Sequence, residues 1–533
     1  MHINDIPFNK TGFFSSLICD YLDQKSELSS LYNRFPEIEN FKAQIDEKKE
    51  SFKVSSRTTL VSILNRQYEK IETSSLTLKN IDSLKSENTF TITTGHQLNL
   101  FTGPLYFLYK IISAINLSKE LKIKYPENNF VPIYWMATED HDFEEINFFN
   151  FRGKKVKWNK ASSGAVGELL TDGLKDVFDV FSEELGASKN ANLLKDLFQN
   201  AYLNHRNLAD AARFLANALF KEYGLVIVDA NNHDLKKEFI PYMESELFSN
   251  TSHNEVSKSN NSISKLSEYY KIQVNPREIN LFYLVKNIRE RIVFEDGVYK
   301  VLNTDILWTT SEIKRELLEY PERFSPNVIM RPLYQEVILP NLCYIGGGGE
   351  LAYWFQLKSF FDKVNVPFPI LLLRNSVLIK SESQDKKLKK LNINDEDIFL
   401  NRHSLINKKV REISNIEIDF SEQKEQLQKQ FQGLYKLSEQ TDRSFIGAVK
   451  AQEVKQMKGL DALEKRLLQA QKKKLSDQVM RMTELQNQLF PAQSLQERKA
   501  NFSEFYLEYG KDLIPKLIEN LEPLKSGFLV LTI

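Results

Sequence analysis

From residue 88 to 147 apolar and polar positions come in blocks rather than singly. Thr89-Phe90-Thr91-Ile92-Thr93 is a β-branched and aromatic run, which predicts a buried strand. Behind Pro104, the residues Leu105, Leu108, Ile111, Ile112 and Ile115 recur at three- and four-residue steps, which predicts an amphipathic helix with proline in its first turn. Residues 130–136 predict a second buried strand, and Glu139-Asp140-His141-Asp142-Phe143-Glu144-Glu145 follows it. Strand, polar loop (94–103), helix, strand and acidic tip make a βαβ unit. Both polar segments fall at the carboxyl ends of their strands, the edge where ligands bind in doubly wound sheets.

The pattern continues with a helix over 211–220 and a third strand over 224–229, an apolar run closed by Asp229. Residues 327–330 predict a strand ending at Arg331-Pro332. Residues 342–345 predict another, which runs into Gly346 to Gly349 and a helix over 351–361. Residues 369–374 predict a last buried strand tipped by Arg374. Two regions interrupt the alternation. Residues 148–206 hold only a short strand near 154–158 and a helix near 193–198. The Ser- and Asn-rich stretch 250–275 predicts an insertion or exposed loop. Paired strands at 282–285 and 291–294, with Glu295-Asp296-Gly297 as turn chemistry, come next. The fold class is α/β: a Rossmann-like parallel-sheet core over 88–380 with insertions near 148–206 and 250–280, behind a helical lead-in over 1–87.

Beyond Ser381 the pattern changes period. Leu468, Leu475, Met482 and Leu489 fall at seven-residue intervals, and Leu427, Phe431 and Leu434 are four and three apart. Residues 381–490 therefore predict a long α-helical coiled coil or helical hairpin, which Pro491 ends. Its seam is expected to be buried against a second copy, as a homodimer. Residues 491–533 return to globular composition, and 528–533 is expected to add an edge strand to the core.

Composition narrows the partners. With 71 basic and 71 acidic residues the chain has no net charge to draw it onto nucleic acid or an anionic membrane, so a small polar substrate is expected. Cys19 and Cys343, the only cysteines, support neither a disulfide framework nor a cysteine zinc site. Cys343 sits in an apolar run and is expected to be a buried, inert thiol. The opening residues lack the order of a signal peptide and no apolar run is long enough to span a bilayer, which predicts a cytoplasmic protein.

The candidate chemistry lies at strand ends. The acidic tip crowds Glu139, Asp140, His141, Asp142, Glu144 and Glu145 into seven positions, which is costly unless cations, a metal or helix amides compensate. A metal site, a general base and a clamp for an ammonium are all compatible with it, and a solvated helix start is the plain alternative. Asp140, His141 and Asp142 are the catalytic candidates, with Glu139 and Glu145 beside them as binding residues. The loop carrying Thr102 and Gly103 precedes a helix, so its amides can receive an anion. Tyr106 and Lys110 stand one turn apart, and Lys110 is a candidate phosphate or carboxylate contact. The glycines through Gly349 can form an anion nest or a tight turn. Arg331 and Arg374 suit bidentate carboxylate binding, with structural ion pairs as the rival role.

These residues also carry a resemblance. Thr94-Gly95-His96-Gln97, residues 100–106, residues 139–145, the blocks 331–335 and 349–354, and Leu495-Gln496-Glu497-Arg498 with Tyr509-Gly510 resemble the bacillithiol-biosynthesis cysteine-adding enzymes, the BshC family of cysteine ligases. The resemblance implies a nucleotidyltransferase-type Rossmann core, a coiled coil, and addition of cysteine to the amine of glucosaminyl-malate. On the shared motifs it adds Gln97, Gln335 and Glu350 to the candidates, and it draws Glu497 and Arg498 toward the cleft. His96 is set aside, because the family pattern accepts Gln there. Amide formation needs an activated carboxylate, so ATP or ADP is the expected nucleotide. The other function class is a coiled-coil interaction or scaffold protein that keeps a nucleotide-binding core. Polar clustering at several strand ends favours the enzyme.

Overall fold

A computed structural model describes residues 2–442 and 444–533. Five parallel strands form the central sheet: β1 (Thr89–His96), β2 (Asn129–Met136), β3 (Val226–Asp229), β4 (Asn341–Gly346) and β5 (Ile370–Leu373), in the order β5-β4-β1-β2-β3. All eight residues of β1 are buried, which is why it reads as a continuous run rather than an alternation. Helix α1 (Tyr106–Lys124) is the crossover from β1 to β2, with Leu108, Ile111, Ile112 and Ile115 buried as its spacing predicts. The strand order reverses between β1 and β4, so the crevice beyond their carboxyl ends is the topological switch point. Asn341 fixes this junction: its Oδ1 accepts from the Thr91 and Thr93 hydroxyls at 3.2 and 2.8 Å, and its amide donates to buried Glu336 at 2.7 Å.

Four elements depart from the sequence-based expectations. The polar stretch after Asn250 is a helix, Thr251–Leu266, rather than a loop. It buries only Val256, Ile263, Ser252 and Ser259, so its apolar stripe is too thin to stand out among serines. The strand expected at 327–330 is instead Phe324–Pro326, and Met330–Ile338 is helical, which moves Arg331 from a strand end into a first helical turn. Asn327 Oδ1 accepts from the Ile329 and Met330 amides and starts that turn. Phe324–Pro326 joins an antiparallel sheet with Leu281–Val285, Ile288–Glu295, Val298–Val301 and Leu307–Trp308. This second sheet covers the mouth of the switch point. The C-terminal strand Phe528–Thr532 is not an edge of the core sheet. It lies centrally in a separate three-stranded sheet, antiparallel to His2–Ile6 and parallel to Ser376–Lys380.

The fourth departure concerns the heptads. Helix α2 (Gly348–Phe355) leaves the switch point, and the long helices follow as α3 (Ser421–Ser438), α4 (Ser444–Lys474) and α5 (Ser476–Leu489). α3 and α4 form an antiparallel hairpin, tied by Tyr435 to Glu453 and by Lys424 to Glu464. Leu468 and Leu475 pack with Ile406, Val410 and Ile418 of the same chain, and Met482 and Leu489 enter the main core. The seam is closed within one chain. A heptad records that a helix is covered, not which helix covers it.

Candidate functional site

The switch point opens into a cavity of about 640 Å³ between the carboxyl edge of the central sheet and the antiparallel sheet above it. Its floor is the ends of β1 and β2. Gln97, just past β1, donates to Asp140 Oδ2 at 2.9 Å and to Glu145 Oε2 at 3.1 Å, so the two polar tips of the βαβ unit do meet. The His141 amide donates to Asp140 Oδ1 at 2.7 Å. From the roof, Arg289 donates to Ser325 Oγ at 3.1 Å and to His141 Nδ1 at 2.6 Å, while its guanidinium lies 4.2 Å over the Phe282 ring and 3.9 Å from Asp140. Burial pushes the Asp140 carboxyl up, but hydrogen bonding by His141, the Arg289 charge and the Gln97 amide outweigh it and hold Asp140 well below the usual carboxylate range. Glu139 takes a 2.8 Å bond from Lys236, a fully buried ammonium.

The opposite wall is cationic and aromatic. Lys110, on α1, donates to the Gly95 carbonyl at 2.6 Å and to Glu350 Oε2 at 2.8 Å. Glu350 also accepts from the Tyr344 hydroxyl at 2.7 Å and from the Gly347 amide at 3.1 Å. Burial opposes its charge, yet these donors hold its carboxyl down. The glycine turn is therefore occupied by the chain's own carboxylate at the α2 N-terminus, where the helix dipole favours it, rather than open as an anion nest. Arg331 donates to Tyr353 at 3.1 Å and to Gln335 at 3.2 Å, so Gln335 positions Arg331 from outside the cavity.

Gln97, Tyr106, Lys110, Glu139, Asp140 and His141 line the cavity, as do Arg331 and Glu350. Gly349 and exposed Arg498 lie outside the lining. Asp142 is also outside it and accepts the Glu145 amide at 3.3 Å, capping the turn Phe143–Ile146. Thr102 and Gly103 turn away: Phe101 and Thr102 sit at positive φ, and Asn501 donates to the Phe101 and Gly103 carbonyls at 2.8 and 2.6 Å. A Cβ at Gly103 would come within 2.6 Å of the Asn99 side chain, so the bend requires glycine. Arg374 is bound to Glu497 and neither faces the cavity. Among the described residues no three His, Cys, Asp or Glu side chains are arranged to hold a metal.

His96, set aside on the family pattern, belongs to the cavity lining. It lines the cavity edge-on to Tyr106 at 5.5 Å, and desolvation with the nearby Lys110 charge draws its pKa down to about 3, so it is neutral. Its Nε2 is buried without a partner. Arg289 and Arg291 were not among the candidates: the strand expected over 291–294 leaves Arg289 out, whereas the observed strand Ile288–Glu295 puts both arginines on one face.

Two matched domains decide the family. The N-terminal Rossmann-like domain of bacillithiol biosynthesis BshC matches residues 1–375, and the C-terminal coiled-coil domain of bacillithiol biosynthesis BshC matches 377–533. The chain belongs to the bacillithiol biosynthesis BshC family. Relatives named "Putative cysteine ligase BshC" include those of Christiangramia forsetii, 62% identical over 100% of this chain and 99% of its own, and Flavobacterium johnsoniae, 61% identical over 99% of each. One from Bacillus thuringiensis subsp. konkukian is 28% identical over 97% of each chain. The boundary between the two matched domains falls at Ser376, the first residue of the strand Ser376–Lys380, which pairs with Phe528–Thr532, and that strand in turn pairs with His2–Ile6 of the N-terminal domain.

Proposed function

We propose that this chain joins the carboxyl group of cysteine to the amine of glucosaminyl-malate, a reading in keeping with relatives named "Putative cysteine ligase BshC". The observation that supports it is one cavity with carboxylates on its floor, Glu139 paired with Lys236 and Asp140 3.9 Å from Arg289, and on its far wall Arg331, which among the described residues has no carboxylate partner. Amide formation needs an amine and a carboxyl-derived electrophile held together, and such a cavity sorts the two by charge. Glu139 and Asp140 attract the ammonium of the sugar. Asp140 is too acidic to retain a proton near neutral pH, so it holds and orients the nitrogen while the proton passes to water. Its role is positioning by charge rather than general base catalysis. Arg331 and Lys110 suit the carboxylate of cysteine and the charge that develops as it is activated.

The activation step is proposed to use ATP, with ADP and phosphate, or AMP and pyrophosphate, released according to the anhydride formed. When bound, the nucleotide supplies the phosphoanhydride that converts the cysteine carboxylate into an adenylate or an acyl phosphate. The orphaned Nε2 of His96 beside Lys110 and Arg331 fits a polyphosphate. We assign the reaction to the cytoplasm, where both substrates and nucleotide are available. Among the described residues no helix is long and apolar enough to cross a membrane.

A homodimer is also proposed, with its surface moved from the heptad seam to the exposed apolar residues of the α3–α4 hairpin. There Leu434, Leu437, Phe445, Ile446, Val454 and Leu463 are exposed. The deciding assay incubates purified protein with cysteine, glucosaminyl-malate and ATP and follows the cysteine adduct by mass spectrometry. ATP-dependent adduct is the expected result. Absence of adduct with every nucleoside triphosphate tried would overturn the reading.

A further inference from the structure

We propose that Arg277 and Arg291, on the roof of the cavity, form an anion subsite that receives the malyl dicarboxylate of the acceptor. The inference rests on the ligase reading above and adds a residue-level basis for acceptor specificity.

Arg291 lies on the strand Ile288–Glu295, directly opposite Phe282 on the neighbouring strand and two residues from Arg289. Successive side chains alternate across a strand, so Arg289 and Arg291 point to the same face, and both line the cavity with Phe282. Their surroundings differ. Arg289 is committed to Ser325, to the Pro326 carbonyl and to His141. Among the described residues Arg291 and Arg277 have no carboxylate partner and no side-chain hydrogen bond, and the Arg291 Nε is buried and unsatisfied. A half-buried guanidinium without an acceptor is costly, and buried polar groups are otherwise almost always paired.

Arg277 is held ready by its backbone. Asn280 Oδ1 accepts its amide at 3.0 Å, and Asn280 Nδ2 donates to its carbonyl at 2.8 Å. Asn280 is in turn buried on Glu246, at 2.8 Å from its amide and 3.0 Å from its side chain. A prebuilt loop thus presents Arg277 to the same cavity that Arg291 lines from the strand Ile288–Glu295.

The ligand chemistry follows from the fork geometry. Each guanidinium matches a planar, bidentate acceptor, and two of them match a dianion carrying two carboxylates or one phosphate. The proposed acceptor supplies the former on its anomeric carbon, next to the carbon that bears the amine, so both groups fit within the narrow gap where Arg289 lies 3.9 Å from Asp140. With the ammonium on Glu139 and Asp140 and the malyl group under the roof, one molecule would bridge floor and roof and present its nitrogen to the cation wall.

Calorimetric titration of the full chain tests this with four probes: glucosaminyl-malate, glucosamine, malate and ATP. For Arg291→Gln and Arg277→Gln, binding of glucosaminyl-malate should weaken about tenfold or more each, with glucosamine and ATP unchanged. Steady-state rates should show KM for the acceptor rising by the same factor and kcat moving by less than about threefold, the mark of lost ground-state binding. Because Arg277 is exposed, its variant gives a result even if Arg291→Gln folds poorly, and Arg291→Lys should restore only part of the affinity. Unchanged acceptor binding in both variants overturns the subsite alone. Weakened ATP binding with acceptor binding intact assigns the arginines to a nucleotide phosphate and overturns the malyl assignment. Failure of the parent protein to bind or convert glucosaminyl-malate overturns the ligase reading itself.

Discussion

Arg374, at the end of β5, and Glu497, from the C-terminal segment, form a buried two-armed ion pair. Nη1 lies 2.9 Å from Oε2 and Nη2 lies 2.7 Å from Oε1, and the two side chains are 5% and 0% exposed. The pair sits where the two family domains meet, and Glu497 also accepts the Val377 amide at 3.2 Å. Removing one partner strands the other charge in the interior. Glu497→Ala should therefore cost about 3–5 kcal/mol of stability. Chemical denaturation should show this loss, and ligand affinities measured on the folded fraction should stay unchanged.

Asp140→Asn keeps the size of the side chain while removing the charge and one of the two acceptor oxygens that Gln97 and the His141 amide bind. Turnover should fall on the order of 100-fold. Because the folded-state carboxyl is held below its ordinary value, near 3.9 for a free aspartate, Asp140 is ionised throughout the working range. The pH–rate profiles of parent and variant should run parallel from pH 6 to 9. The stability that Asp140 contributes is present above the ordinary carboxylate value and is lost only as pH falls below it. A profile whose acid limb disappears in the variant would show that Asp140 titrates during turnover.

His96 is neutral in the fold, with a pKa of about 3 against 6.5 unperturbed. The unfolded chain binds a proton there more readily, so stability is lost as pH falls from about 6.5 toward 3. At pH 5 the penalty is roughly 2 kcal/mol. His96→Gln should remove it. The melting temperature of the variant should decline less steeply than that of the parent between pH 7 and 5.

The helical region separates two kinds of substitution. Leu489→Ala opens a cavity in the main core and should cost about 2–5 kcal/mol. Replacement of Leu434, Val454 and Leu463 by glutamate leaves the core intact and should convert the dimer to monomer by light scattering. A dimer that persists with those changes would place the contact elsewhere.

Cys343 is buried and fully desolvated, which raises its thiol well above the ordinary range. Under native conditions iodoacetamide should label Cys19 slowly and Cys343 not at all, with labelling of Cys343 appearing on denaturation and followed by mass spectrometry.

The sequence by itself determined the βαβ unit and the floor of the site. A parallel strand buried on both faces is a continuous apolar run, and a helix packed on it carries a 3.6-residue stripe, so β1, α1 and β2 were legible at once. With those three in place, Gln97 and Asp140 had to emerge at the same edge. The rest depended on which surfaces met. The heptad at Leu468 to Leu489 records that one helical face is buried, and only packing chose Ile406 and Val410 of the same chain as part of its cover. Arg374 and Arg331 looked alike as cations near apolar runs. The tertiary structure gave Arg374 to Glu497, 123 residues away, and turned Arg331 into the cavity. Arg289 and Arg291 belong to a strand whose alternation shows two faces, but not that one of them roofs a crevice formed by β1 and β2. Periodicity is local and reports burial. Pairing across hundreds of residues is settled by the free energy of the whole packed molecule, to which no single segment holds the key.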